Sequence, residues 1–200
     1  TTLGSLLDVR RLAGLSQFLS PIVLEALAGK DPEVVLAPRE TDVSVLFCDL
    51  RGFSQQSEQQ ADNLLGLLER VSQAMGVMTQ EILQQGGVVG DFHGDAAMGF
   101  WGWPFPQEDA ILRVCTAALA IRSEFEMAAR QASHPLADFR IGLGLATGRA
   151  VAGKLGSIDQ VKVSVFGPVV NLASRLENMT KALGVGILLD QCTADYVRNH

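Results

Sequence analysis

Apolar residues recur along this chain with two different periods. From Asp62 to Gln85, the residues Leu64, Leu68, Val71, Met75, Met78 and Ile82 step by three and four, which predicts an amphipathic helix that Gly86 and Gly87 end. Residues 108–131 repeat the helical period through Ile111, Val114, Cys115, Ala118, Ile121 and Phe125. The stretch "PVVNLASRLENMTKAL" predicts a helix opened by Pro168 and faced by Leu172, Leu176, Met179 and Leu183. Residues 5–29 read as two helical pieces, with a stripe of Leu12, Leu15 and Leu19, Ser20 and Pro21 starting the second piece and Gly29 closing it. Between the helices the period changes to two, or the run is short and apolar throughout. "DVSVLFCDL" (42–50) predicts a strand covered on both faces, and "VVGDFHGDAAMGFW" (88–101) a hairpin. "FRIGLGLATG" places Ile141, Leu143 and Leu145 on one face and Arg140, Gly142 and Gly144 on the other, a face that backbone or ligand can approach closely. "VKVSVFG" alternates too, "GILLD" is a last strand, and "TADYVRN" a last helical turn or two. Strands interleaved with helices, some joined as hairpins, predict an α/β (α+β) fold with a mixed sheet.

Length and charge narrow the function classes. Two hundred residues, 48% of them hydrophobic, suit one domain with a sizeable core. The 22 acidic side chains against 16 basic ones, net −6, give no general electrostatic reason to bind nucleic acid or an anionic membrane. An anionic ligand must therefore be met locally, by a metal or by a few placed cations. Cys48, Cys115 and Cys192 are odd in number and far apart, which fits reduced thiols and a cytoplasmic location. No apolar run approaches the ~18 residues of a membrane span. The start "TTLGSLLDVRRL", without Met, suits a piece of a longer protein, so residues 1–40 read either as a helical connector from an upstream sensor domain or as helix packed on its own domain, with 41–200 as the functional unit.

Two pairs of residues carry candidate chemistry. Asp49 follows the apolar run "VSVLFC", and Asp95 opens the second arm of the hairpin. If their strands are neighbours the two carboxylates converge and repel, unless a divalent cation lies between; hard oxygen ligands suit Mg²⁺, which keeps phosphates and water in its shell. Asn171 and Arg175 stand i and i+4 on one helix, off the leucine face, and no acidic residue lies three or four positions from Arg175. His93, Trp101 and Trp103 read as structural.

In this order and spacing, "VLFCDLRGFS", "GDFHGDAAMGFWG", "FRIGLGLATGRAVAG" and "VFGPVVNLASRLE" resemble the class III nucleotidyl cyclase catalytic domain of adenylate and guanylate cyclases, over roughly residues 40–195. The resemblance implies a ferredoxin-like, mainly antiparallel sheet flanked by helices, and a homodimer with composite active sites. Asp49 and Asp95 would bind two Mg²⁺ (or Mn²⁺) ions, and the backbone from Leu50 to Phe53, Gly52 included, would help hold a triphosphate. Arg140 matches a triphosphate-contacting arginine. From the partner protomer, Asn171 would orient the ribose and Arg175 would neutralise charge at the α-phosphate. The implied reaction is attack of the ribose 3′-OH on the α-phosphorus with release of pyrophosphate.

Three departures bear on substrate and activity. Asp91 falls where adenylate cyclases carry a lysine that donates to adenine N1; an ionised carboxylate there opposes adenine and accepts from the N1–H and amino group of guanine. Ser164, at the partner position, both donates and accepts and is compatible with either purine. Pro168 replaces the usual Asp or Asn and suits a first helical turn. The family's further carboxy-terminal segment, with a triphosphate-contacting lysine, lies past His200 or is absent. Conversion of ATP to 3′,5′-cyclic AMP is the leading expectation, because Asp91 is short and ATP-using members are common. GTP to cyclic GMP is the alternative that Asp91 suggests, and a catalytically impaired regulatory module of the same fold is a third.

Overall fold

The computed structural model describes residues 19–53, 63–156 and 161–200. The first of the two expected amino-terminal helical pieces, residues 5–18, lies outside the described residues. Along the chain run α1 (Pro21–Leu27), α2 (Pro32–Val35), β1 (Arg39–Arg51), α3 (Leu64–Gln84), β2 (Val88–His93), β3 (Ala96–Trp101), α4 (Ala110–Ala129), β4 (Arg140–Gly156), β5 (Val161–Phe166), α5 (Pro168–Leu183), β6 (Ile187–Leu189) and α6 (Gln191–Arg198). The sheet order is β2-β3-β1-β4-β5, antiparallel throughout, with β6 parallel to β4. This is the mixed, mainly antiparallel sheet flanked by helices that the sequence predicts.

Strand β1 is central, and alternation divides its side chains between two cores. Leu46, Cys48 and Leu50 meet Leu143 and Leu145 of β4 beneath Met78 and Ile82 of α3 and Ile121 and Phe125 of α4. Val43 and Val45 join Met98, Phe100, Val163 and Val165 on the other side, under α1 and α5. Each fully buried Leu, Ile or Met contributes roughly 1.5–3 kcal/mol of transfer free energy. Trp101 and Trp103 are fully buried in these cores, as expected of structural residues. Pro21 starts α1, but Ser20 does not cap it: its hydroxyl accepts from the Val89 amide instead, tying α1 to the hairpin. Among the described residues no helix is long and apolar enough to cross a membrane.

Helix α5 corrects one expectation. Its buried residues are Val169, Ala173, Glu177 and Thr180, whereas Leu172, Met179 and Leu183 of the expected core stripe are 40, 49 and 58% exposed. The reason is the glycine face of β4. A Cβ on Gly144 would stand 2.2 Å from the Ala173 carbonyl oxygen and 2.3 Å from the Glu177 nitrogen, so the helix backbone rests on the strand and only small side chains fit between. Leu176 of the expected stripe is half-buried against the second core, and Leu172, Met179 and Leu183 are left to face outward.

Gly144→Ala should therefore lower stability by about 1–3 kcal/mol or more, since neither clashing partner is a flexible side-chain end. Gly76→Ala, at an exposed helical position with nothing within 4 Å of the added carbon, should raise stability by about 0.5–1 kcal/mol. Chemical denaturation of the two variants checks both signs.

Candidate active site

The register of β1 sets the site. Asp49 pairs with Ala96 of β3 on one side and Gly142 of β4 on the other, so its carboxylate stands between two small neighbours. Asp95 immediately precedes Ala96, and the Leu50 amide donates to the Asp95 carbonyl at 3.4 Å, which holds the two acidic segments side by side. The convergence expected of neighbouring strands is thus present. Burial first, and then the charge of Asp95, push the Asp49 carboxyl up to about 6; burial also raises that of Asp95.

A third carboxylate stands in this group. Glu177 is buried, at 8% exposure, and comes down from α5 onto β4. A Cβ on Gly142, the residue paired with Asp49, would lie 2.6 Å from Glu177 Oε1 and 3.2 Å from Arg51 Nε. Burial and the charges of Asp49 and Asp95 push Glu177 up to about 7, while Arg51 pulls the other way. Sequence reasoning missed this residue because it followed the leucines of α5. The signal was present in the same helix: Val169, Ala173, Glu177 and Thr180 are spaced four, four and three apart, and one member of that stripe is acidic.

These groups border a cleft of about 530 Å³ lined by Phe47, Asp49, Met98, Ser164, Asn171 and Glu177, among others. Ser164, the expected base-pocket residue, is buried in the cleft wall at 6% exposure, and Asn171 stands on its rim. Arg175 is exposed and makes no hydrogen bond or ion pair among the described residues. Gly52 turns the chain after β1 with φ 83°, and Phe53 packs against the core beneath α3 and α4. Arg140 is not brought into this cleft. It stands opposite Arg51 in the register, and its guanidinium donates to the carbonyls of Ala137 and Phe139 at 2.8 and 2.9 Å. Both arginines line a separate recess of about 490 Å³ with Arg122, Phe125, Phe139 and Val185. The backbone of Asp91 pairs with Met98 just after an irregularity in the β2 register; the side chains of Asp91 and His93 lie outside the described residues.

The donor set fits divalent cations. Two half-buried carboxylates with raised affinity for a proton, to which no cation is bonded among the described residues, have the hard oxygens that such an ion satisfies. Among the described residues no group of three or more His, Cys, Asp or Glu side chains is arranged to cage a metal. The chain supplies part of a coordination shell and leaves the remainder to water or to a ligand. The Cys48 thiol, fully buried behind Asp49, is pushed far up by burial and by Glu177 and Asp49, so it is a packing group and not a thiolate donor.

Comparison with known proteins agrees with this fold. The family described as the Adenylate and Guanylate cyclase catalytic domain matches residues 35–196. Adenylate cyclase 1 of Rhizobium meliloti is 28% identical over 148 residues, 74% of this chain and 22% of that protein. The crystal structure of the adenylyl cyclase CyaB from P. aeruginosa has a TM-score of 0.70 at 26% identity, covering 82% of this chain and 84% of that one. The guanylyl cyclase Cya2 has a TM-score of 0.69 at 28% identity, covering 78% of each. The chain belongs to the class III adenylate and guanylate cyclase catalytic domain family. It spans 22 to 48% of the length of three curated relatives it matches.

The raised carboxyls make stability depend on pH with a definite sign. Asp49 and Glu177 hold protons in the folded chain at pH values where the unfolded chain has already lost them. The stabilisation they give is complete below about pH 4 and is lost as the pH rises through about 6 and then 7. In chelator, the melting temperature should fall between pH 5 and 8, at roughly 2–4 °C per kcal/mol for a domain of this size. The fall should be shallower in Asp49→Asn; equal slopes would contradict the coupling.

Proposed function

We propose that residues 41–200 form the catalytic unit of a metal-dependent homodimer that converts ATP to 3′,5′-cyclic AMP and pyrophosphate. The observation that carries this reading is the pair Asp49 and Asp95, brought together with no bonded counter-cation among the described residues, at the edge of a cleft of about 530 Å³ in a chain of the cyclase family. Two divalent cations, Mg²⁺ or Mn²⁺, held at these carboxylates would supply charge neutralisation of the triphosphate and acidify the ribose 3′-hydroxyl. The chain's own groups do the positioning. Asp49 and Asp95 fix the reacting end against the rigid centre of the sheet, and within the Leu50–Phe53 turn the amides beyond Leu50, whose own amide serves Asp95, are offered to phosphate oxygens. Arg140 reaches the same end of the sheet once it leaves the carbonyls it now serves.

Asn171 and Arg175 act from the other protomer, Asn171 orienting the ribose and Arg175 meeting the charge that develops at the α-phosphate. Two features support a second copy of the chain as partner. Arg175 is exposed without an acidic neighbour bonded to it among the described residues, and α5 presents Leu172, Met179 and Leu183 outward beside it. The reaction moves no electrons between partners: the 3′-oxygen bonds to the α-phosphorus, pyrophosphate leaves with the bridging oxygen, and the hydroxyl proton passes to water. Residues 1–40 are then the connector to an upstream sensor domain, and the site works in the cytoplasm, where nucleoside triphosphates are held. One residue favours a second reading. Asp91 is complementary to guanine, which would make GTP the substrate and cyclic GMP the product.

Purified protein supplied with Mn²⁺ or Mg²⁺ and each of the four ribonucleoside triphosphates should form cyclic AMP, identified by mass. Cyclic GMP as main product would assign the guanine reading, and no cyclic product from a verified dimer would point to a regulatory module. Asp49→Ala and Asp95→Ala should each reduce turnover by at least a hundredfold. Mixing Asp49→Ala with Arg175→Ala protomers should recover part of the activity through one intact composite site, and no recovery in a verified heterodimer would refute shared sites.

A further inference from the structure

Glu177 has a burial, an orientation and a charge that packing does not account for. It is 8% exposed, lines the same cleft as Asp49, and its carboxylate makes no hydrogen bond or ion pair among the described residues. Leaving an ionisable group unpaired in that position is costly, and an apolar side chain of similar size would fill the space without the cost. Its orientation is set by a missing side chain: Oε1 occupies the space above Gly142, the β4 residue directly opposite Asp49. The helix cannot rotate to carry it elsewhere, because the turn before it lies against Gly144.

The charged groups that act on this corner are few. Asp49 and Asp95 face Glu177 from the sheet, Arg51 acts on it from the end of β1, and Lys181, one turn further along α5, acts on Asp49. Arg51 does not neutralise it by a bond: its Nη2 donates to the Val185 carbonyl at 2.5 Å, and its buried Nε has no partner. Asp49 and Glu177 therefore line the cleft with the charge of Asp95 acting on both, and among the described residues none of the three has a bonded counter-ion. Among the described residues no three His, Cys, Asp or Glu side chains form a group that could hold a metal ion, so Glu177 does not complete a three-ligand cage with Asp49 and Asp95.

We propose that Glu177 is a positioning residue of the metal site. It draws divalent cations to the Asp49–Asp95 pair by its charge, holds a water of the ion's shell by a hydrogen bond, and so admits the cation-loaded triphosphate in preference to the free tetra-anion. The proposal rests on the cyclase reading of the cleft. A carboxylate in that role acts as partners of bound ligands do elsewhere, where their loss weakens metal binding about 10–100-fold. It also gives the cleft a charge filter: a bare triphosphate meets three carboxylates, whereas a cation-loaded one brings its own neutralisation.

The test is Mn²⁺ binding, followed by electron paramagnetic resonance on the full chain with Mn²⁺ alone and with Mn²⁺ plus 3′-deoxy-ATP, which lacks the attacking hydroxyl. Melting curves for every variant serve as the control for folding. Wild type should bind saturably and Asp49→Asn should lose the binding. Glu177→Gln, which keeps the volume and removes the charge, should bind Mn²⁺ about tenfold more weakly and be inhibited more strongly by metal-free nucleotide. Glu177→Asp, which keeps the charge, should stay within about threefold of wild type. If Glu177 serves only Arg51 or packing, Glu177→Gln will melt lower and bind Mn²⁺ as wild type does, which overturns the proposal and leaves the cyclase reading intact. Equal losses in the Asp and Gln variants also overturn it, since charge would then not be the cause. If wild type binds no Mn²⁺ under either condition, the cyclase reading fails and this inference falls with it.

Discussion

The approach of α5 to β4 across Gly142 and Gly144 is the contact on which the rest of the site depends. Helix and strand meet almost backbone to backbone there, since an added carbon at either glycine would collide with atoms of α5. That closeness has three consequences at once. It selects Ala173 and Thr180 as the buried face of the helix, it forces Glu177 down beside Asp49, and it turns Leu172, Met179, Leu183 and Arg175 away from their own chain. A bulkier strand would have lifted the helix and let the leucines in. The outward apolar stripe and the inward carboxylate are therefore one structural fact seen from two sides.

The strands were legible because burial on two faces leaves a simple mark. "DVSVLFCDL" is mostly apolar, with "VLFC" unbroken at its middle, and lies at the centre of the sheet with cores on both sides, and the hairpin around "DFHGD" follows from its two apolar arms. The neighbouring placement of Asp49 and Asp95 was legible for a related reason, since each is a polar residue at the edge of an apolar run. The buried face of α5 was not legible by hydrophobicity, because close packing on glycine rewards small side chains and not large ones. Glycines at alternate positions of "RIGLG" announced that something approaches that face, but nothing in the strand alone says that it is the helix 30 residues on. The position of Arg140 was also beyond sequence reasoning: its side chain bonds to local carbonyls, an alternative that any arginine near a loop has and that no spacing reveals.

The chain's acidity and its expected ligand are reconciled at the scale of single residues. A net charge of −6 repels an anionic triphosphate in general, and the cleft sharpens this by gathering three carboxylates. Such a site opposes bare phosphate, and in the proposed reading a bound cation would reverse the local sign. The burial that raises the carboxyls toward neutral pH is also what would favour a cation there: charge held where water screens it poorly. A proton and a divalent ion would then compete for that charge.

The division of parts between sheet and helix has a consequence for control. The carboxylates and the turn after β1 are built on the rigid centre of one chain, while Asn171 and Arg175 project from the outer side of α5, on the rim of the cleft or beyond it. A single chain holds both halves of the chemistry but, in the composite reading, cannot bring its own Arg175 to its own metal site. Activity is then a property of how two copies are set against each other. A rotation or slide of one copy by an ångström or two would misplace Arg175 while leaving each fold intact, because the fold's cores do not involve that face. The amino-terminal helix α1 is well sited to transmit such a movement. It packs under the sheet through Val23 and Leu27, and Ser20 bonds to Val89 at the base of the hairpin that leads to Asp95.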